Sequence, residues 1–266
     1  MMRKKHSFLS EAELDRLDEK KIRDSEDFKI ESEVFDRSTL LNLYTLSNKG
    51  YIDAIYGAIS TGKEANVFRA VDREGKTLAV KIFRTATTEF RTMWKYIRGD
   101  PRFGKIKKDR RSLVREWAKK EYKNLTIAKS AGVRVPTPII LLDNVLIMEF
   151  ISDQTGTKPA PTMKMCPPEN PSKASKHLIE SLAKLYQRAK LVHADFSEYN
   201  VLNGHDLVLI DFAQAVLRSH PSSEEFLRRD LMNLLRYFKS LGVEHNYDEV
   251  YRRVTGRTPW SSSWSL

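Results

Sequence analysis

The sequence predicts an α+β protein of two lobes, a strand-rich half followed by a helix-rich half. Three observations carry this. Between Tyr51 and Ile151, short apolar runs parted by turn residues dominate, as strands do. A proline-rich connector, Pro159 to Pro171, follows. Beyond it, long amphipathic periods take over, with two short strand-like runs between them. The expected organisation is an N-terminal helical extension over residues 1–49, a strand-rich lobe over 50–151 and a helical lobe over 152–266. A basic, flexible insertion is expected at 85–111.

The elements follow in order. Residues 8–22 form a polar helix, which Ser10 can cap with Glu13 reaching back. Ser38 to Asn48 is a second helix with a broad apolar face of Leu40, Leu41, Leu43, Tyr44 and Leu46, stopped by Gly50. Ile52 to Ile59 and Ala65 to Val71 are strands flanking a glycine-containing turn, and Leu78 to Phe83 returns as a third. Thr85 to Arg111 shows no consistent period and reads as a mobile loop or a partly ordered insertion. Ser112 to Ser130 is a helix, ended by Gly132 and the prolines at 136 and 138. Ile139 to Leu142 and Val145 to Ile151 form a hairpin about Asp143-Asn144. Ser172 to Lys190 is amphipathic, with Leu178, Ile179, Leu182, Leu185 and Tyr186 on its stripe. Short strands at Val201-Leu202 and Leu207 to Ile210 precede helices at Ser222 to Leu241 and Asp248 to Val254.

Composition narrows the function classes. No apolar run approaches the roughly 18 residues that span a bilayer, and no secretory signal is evident. A single cysteine, Cys166, excludes an internal disulfide and a cysteine metal cage. These facts point to the cytoplasm and away from a membrane. The formal net charge of +11 draws the chain toward phosphates, whether nucleic acid, nucleotide or acidic surface. The charge concentrates between Arg84 and Lys123, where 14 Lys or Arg stand against 5 Asp or Glu. A solvated helix face carries the same signature.

The chemistry-bearing residues begin at Gly57-Ala-Ile-Ser60-Thr61-Gly62-Lys63-Glu64, which nearly spells the P-loop of NTPases. Glu64 stands where a P-loop needs a magnesium-binding hydroxyl, and strand rather than helix follows. The turn therefore lies between two strands, where Ser60, Thr61 and Lys63 can donate to phosphates. Lys81 lies within the apolar strand Leu78-Ala-Val-Lys-Ile-Phe83 and needs an anionic partner there. Phosphates and a helix glutamate would supply it. Glu121 is the preferred glutamate because Leu125, one turn on, can pack inward. Glu116 is the rival, and the spacing leaves both open. His193-Ala-Asp195-Phe-Ser-Glu-Tyr-Asn200, followed by Ile210-Asp211-Phe212, has H-x-D-x-x-x-x-N spacing with a second Asp beyond. In phosphoryl transfer the first Asp serves the nucleophile, and the Asn and second Asp bind magnesium. His193 reads as structural, bonding backbone near the loop.

Ser60-Thr-Gly-Lys-Glu-Ala-Asn-Val-Phe68, His193 to Asn200 and Leu209-Ile-Asp-Phe-Ala-Gln-Ala215 resemble the RIO family of atypical serine/threonine kinases, type-1 branch. Tyr96-Ile-Arg-Gly-Asp-Pro-Arg-Phe103 and the helical N-terminal extension are similar to that branch too. The resemblance covers roughly residues 50–240. It implies a two-lobed protein-kinase-like fold with ATP and Mg2+, or Mn2+, between the lobes. It assigns ATP contacts to Lys81 and to a hinge at Glu149 and Ile151. It assigns catalysis to Asp195, metal to Asn200 and Asp211, and an aspartyl-phosphate intermediate to Asp211. It also implies work in small ribosomal subunit maturation, with the precursor particle and its rRNA as partners.

Ala213 follows Phe212 where ordinary kinases have Gly, no A-P-E appears, and a helix starts about ten residues later. Little room remains for an activation loop or a peptide platform, so ATP hydrolysis or autophosphorylation is expected above broad protein phosphorylation. The competing reading is an RNA-binding assembly factor whose kinase-like core senses nucleotide. Glu64 and Lys81 count against a P-loop NTPase. The basic charge counts against a small-molecule kinase for cationic substrates.

Overall fold

The structure, a computed structural model, describes residues 35–85, 90–103 and 109–257. The helix expected over 8–22 lies outside the described residues. The first lobe opens with α1 (Arg37–Asn48), capped by Asp36, whose carboxylate accepts from the Thr39 N–H at 2.7 Å and from Thr85 Oγ1 at 3.0 Å. Five strands follow: β1 (Ala54–Thr61), β2 (Ala65–Val71), β3 (Thr77–Phe83), β4 (Pro138–Leu142) and β5 (Val145–Glu149). They form one antiparallel sheet in the order β1-β2-β3-β5-β4.

The two-residue period of β3 divides its side chains between two cores. Leu78, Val80 and Ile82 pack on one face with Leu46 of α1, Ile52, Phe68, Val145 and Ile147. Ala79 and Phe83 join the larger core on the other face, which takes Lys81 between them. The helix α1 is thus part of the lobe's own core through Leu46 rather than a separate appendage. Its expected broad apolar face is narrower than the sequence suggests, since Leu41 and Tyr44 are each 42% exposed.

Within the segment expected as a mobile loop or a partly ordered insertion at 85–111, one stretch is ordered as helix. Phe90–Ile97 is a helix, α2, with Met93, Tyr96 and Ile97 buried. Residues 86–89 and 104–108 lie outside the described residues. The apolar spacing i, i+3, i+4 was present, but a single short period among basic residues gave too weak a signal. Tyr96 packs against Trp117 and Phe226 at ring-centroid distances of 6.1 and 5.1 Å. Lys95 and Arg110 keep their charges over the rings of Phe226 and Phe90. Lys95 and Arg110 are thus tied to aromatic faces despite the basic composition around them.

Next comes α3 (Arg110–Ser130), started by Asp109, whose carboxylate accepts from the Ser112 N–H at 2.8 Å. The second lobe holds α4 (Pro171–Gln187), α5 (Ser223–Ser240) and α6 (Tyr247–Thr255), with short strands between α4 and α5. Strands β7 (Val201–Asn203) and β8 (Leu207–Leu209) pair as a hairpin. Strands β6 (Leu191–Val192) and β9 (Val216–Leu217) also pair, a contact too short and too distant in sequence to be foreseen. Residues 212–222 carry only β9 before α5 begins, so the two-lobed kinase-like fold has no extended activation segment. Among the described residues no helix is long and apolar enough to cross a membrane.

Two glycines mark where backbone approach matters. A Cβ on Gly204 would lie 2.5 Å from the Ser152 carbonyl oxygen, because the β7–β8 turn presses on the chain leaving β5. At Gly57, within β1, a Cβ would meet nothing within 4 Å, so packing does not require that glycine. Gly204→Ala is expected to cost about 1–3 kcal/mol through forced backbone movement. Gly57→Ala should be neutral or slightly stabilising. Denaturant midpoints at unchanged m-value test both.

Candidate active site

Lys81 is buried, and its ammonium lies 2.8 and 2.7 Å from the two oxygens of Glu121 on α3. It also reaches Oδ1 of Asp211 in the second lobe, at 3.2 Å. Glu116, the rival partner, pairs instead with Lys119 at the surface. Helix geometry explains the choice: Trp117, Lys120, Glu121, Asn124 and Leu125 share the buried face of α3. Burial alone would strip the Lys81 proton, but the carboxylates of Asp211 and Glu121 outweigh it and hold the ammonium above its ordinary value. Burial pushes the Glu121 carboxyl upward against the pull of Lys81. Burial would also raise Asp211, and the Lys81 charge reverses this, holding its carboxyl below the usual range.

Asp195 shows the opposite behaviour. Burial, reinforced by the nearby Asp211 charge, pushes its carboxyl up to about 6. Its Oδ2 accepts from Asn200 Nδ2 at 3.1 Å, and its backbone carbonyl accepts from the same nitrogen at 2.8 Å. The structure thus brings Lys81, Glu121, Asp195, Asn200 and Asp211 to one centre, with two carboxyl groups driven apart in acidity. His193 is buried. Its Nε2 donates to the Ile210 carbonyl at 3.1 Å, and its ring meets Phe212 at 4.8 Å. Burial pulls its imidazole down to about 4, so it is neutral and structural, with Nδ1 unpaired among the described residues.

The loop is held in a strained form. Ala194 and Asp211 have φ of +65° and +62°, each costing roughly 1–3 kcal/mol for a non-glycine residue. What holds it is Asp230 of α5, which the sequence reading missed. Its carboxylate accepts from the Ala194 N–H at 2.7 Å and from the Phe196 N–H at 3.0 Å. Asn233 donates to the Phe196 carbonyl at 2.9 Å, and Arg229 donates to the Ala194 carbonyl. The available signal was an acid on the apolar stripe formed by Phe226, Leu227, Leu231 and Leu234.

The remaining predicted positions lie around this centre. Ser60, Thr61 and Lys63 are exposed at and beyond the end of β1. Glu64, beside them, accepts from Trp117 Nε1 at 3.0 Å, which ties the turn to α3. Strand β5 ends at Glu149, where the sequence pattern extended it to Ile151. The Glu149 carboxylate binds Arg134 at 2.7 and 3.1 Å and the Thr137 N–H at 3.0 Å. The Ile151 carbonyl accepts from the Ala160 N–H at 3.0 Å.

Three further side chains were not foreseen. Lys120, fully buried, donates to the Ala213 carbonyl at 2.8 Å and to the Ala215 carbonyl. Burial, then the neighbouring Arg102 charge, pulls its ammonium down to about 7. Asn124 donates to the Phe212 and Ala215 carbonyls at 2.8 Å each. Gln214, between these clamped carbonyls, donates to Asp195 Oδ2 at 3.2 Å. Polar residues on the buried face of α3 were the signal for the first two.

Comparison with known proteins shows the family of the chain. The family model of the RIO domain matches residues 66–250. The RIO-type serine/threonine-protein kinase Rio1 of Haloferax volcanii is 44% identical over 237 residues, covering 89% of this chain and 81% of that protein. The protein of the same description from Methanocaldococcus jannaschii is 40% identical over 254 residues, covering 93% and 86%. Among solved structures, the Rio2 kinase-ADP/Mg2+-phosphoaspartate complex from Chaetomium thermophilum superimposes with a TM-score of 0.62 at 23% identity, a likeness of fold. It covers 82% of this chain and 66% of that one.

Replacing Asp230 tests the support of the loop. Asp230→Ala leaves two buried N–H groups unpaired and is expected to lower unfolding free energy by about 2–4 kcal/mol. Asp230→Asn, which keeps one acceptor, should fall between. Chemical denaturation reads both.

Proposed function

The chain belongs to the RIO family of serine/threonine-protein kinases, and from that premise we propose that it binds magnesium-ATP between its lobes and spends the γ-phosphate on itself or on water. It is an ATP-dependent phosphotransferase by family. The observation that carries the finer reading is the Lys81 ammonium shared by Glu121 and Asp211 from different lobes. Lys81 is the contact for the α- and β-phosphates, and Glu121 holds it in place. The Glu149 carbonyl and the Ile151 N–H face the adenine edge, while Ser60, Thr61 and Lys63 cover the phosphates.

The residues fit a magnesium ion. Asn200 commits its nitrogen to Asp195, which leaves the amide oxygen as a ligand, and Asp211 adds a carboxylate held ionised by Lys81. Magnesium takes one or two such oxygens with phosphate oxygens and water, and manganese accepts the same donors. When bound, the metal offsets the charge of the β- and γ-phosphates. Asp195, its carboxyl raised by burial, receives the proton of the attacking group.

Autophosphorylation places the phosphoryl group on Asp211. Its oxygen bonds to the γ-phosphorus as the bond from that phosphorus to the β–γ bridging oxygen breaks, and ADP leaves with the electron pair. Water then attacks the acyl phosphate, giving its proton to Asp195 and releasing phosphate. A phosphoaspartate is named for the Rio2 kinase of similar fold. The short run from 212 to 222 supports the preference, since it offers no platform for an extended peptide.

The proposed setting is maturation of the small ribosomal subunit, with precursor particle and rRNA as partners. Exposed basic residues on α2 and α3, among them Arg91, Arg110 and Lys119, favour a second reading in which RNA binding is the task and nucleotide only sets its state.

The test uses radiolabelled ATP, acid quenching and hydroxylamine. Hydroxylamine-labile label is expected in the parent and absent in Asp211→Asn; no labile label would overturn the acyl phosphate. Asp195→Ala should lose about 10²–10⁴-fold in turnover while keeping ADP affinity. Intact support of subunit maturation by Asp195→Ala would favour the binding reading.

A further inference from the structure

We infer that Gln214 is a positioning residue that acts through Asp195, setting the carboxylate that receives the acceptor's proton. The inference rests on the assignment of Asp195 as that proton acceptor. Oδ2 of Asp195 takes two donors from separate chain segments, Asn200 Nδ2 at 3.1 Å and Gln214 Nε2 at 3.2 Å. An ionised carboxylate only accepts, so the Gln214 amide turns its nitrogen toward it. Two donors on one oxygen fix the plane of the carboxylate. Among the described residues no hydrogen bond reaches Oδ1, which remains for the incoming proton.

A glutamine is a poor positioner unless its backbone is held, because its free rotamers cost entropy to order. Here the backbone is held on both sides. Lys120 grips the carbonyls of Ala213 and Ala215, and Asn124 grips those of Phe212 and Ala215. Arg102 in turn donates to Asn124 Oδ1 at 2.8 Å and pairs with Asp100, so the chain beyond α2 braces the same clamp. Lys120 and Asn124 sit beside Glu121 on one face of α3. The seating of α3 therefore sets both ends of the reaction: Lys81 through Glu121, and Asp195 through Gln214. Losing the Gln214 donor lets the Asp195 carboxylate rotate, which slows the chemical step and leaves nucleotide binding alone.

The experiment measures magnesium-ATP turnover, Mg-ADP affinity and thermal midpoint in the full chain for Gln214→Ala, Gln214→Glu and Asp195→Asn, with the Gln214→Ala/Asp195→Asn double variant. Gln214→Ala is expected to lose about tenfold to a hundredfold in kcat, with KM for ATP, ADP affinity and midpoint near those of the parent. Gln214→Glu keeps the side-chain size but sets an acceptor against Oδ2, and should lose at least as much. In the Asp195→Asn background, Gln214→Ala should add no further loss. Parent-like kcat in both Gln214 variants overturns the inference, as does a full multiplicative loss in the double variant. If Gln214→Ala does not fold, Gln214→Glu decides alone. Parent-like turnover by Asp195→Asn removes the assignment of Asp195 itself, and the inference with it.

Discussion

A charged lysine inside an apolar strand is the constraint on which the rest depends. Lys81 cannot be buried between Ala79 and Phe83 without opposite charge close by. Glu121 supplies it from α3 and Asp211 supplies it from the second lobe. The first partner fixes how α3 lies on the sheet. The second draws the loop carrying Asp211 up to the sheet and so sets the distance between the lobes. Both anionic neighbours are therefore fixed by where α3 and the loop of the second lobe lie.

The second lobe answers with rigidity. Two non-glycine residues with positive φ, Ala194 and Asp211, flank the centre, and such strain persists only where surrounding bonds over-determine it. Asp230, Asn233 and Arg229 of α5 hold the loop on both sides of Asp195, while Lys120 and Asn124 of α3 hold the chain after Asp211. Helices from both sides thus grip the loops, and the reacting groups need little reorganisation. The helix α2 adds to this by packing Tyr96 between Trp117 of α3 and Phe226 of α5. A segment with a strongly basic composition turns out to join the two lobes.

Much of the fold was readable because each element announced itself locally. Strand periods, capping residues and the proline-rich connector placed nearly every element of the sheet and the long helices within a few residues. The short helix α2 and the strands β6 and β9 were not readable, since one apolar turn or two residues carry no period. Their existence depends on partners far along the chain: Phe226 for Tyr96, and Val216-Leu217 for Leu191-Val192.

The sequence by itself determined the chemistry. A His, an Asp and an Asn at fixed spacing, a second Asp beyond a short strand and a lysine in an apolar strand are each short-range patterns, because one loop or strand must present them together. Tertiary structure alone decided which acid meets Lys81, since Glu116 and Glu121 differ only in the face of α3 they occupy. It alone revealed Asp230 and Gln214 as supports of the loop, because their bonds cross 34–36 and 19 residues of chain and leave no local trace. Reactive groups are specified where the backbone is contiguous; the groups that hold them still are specified by packing.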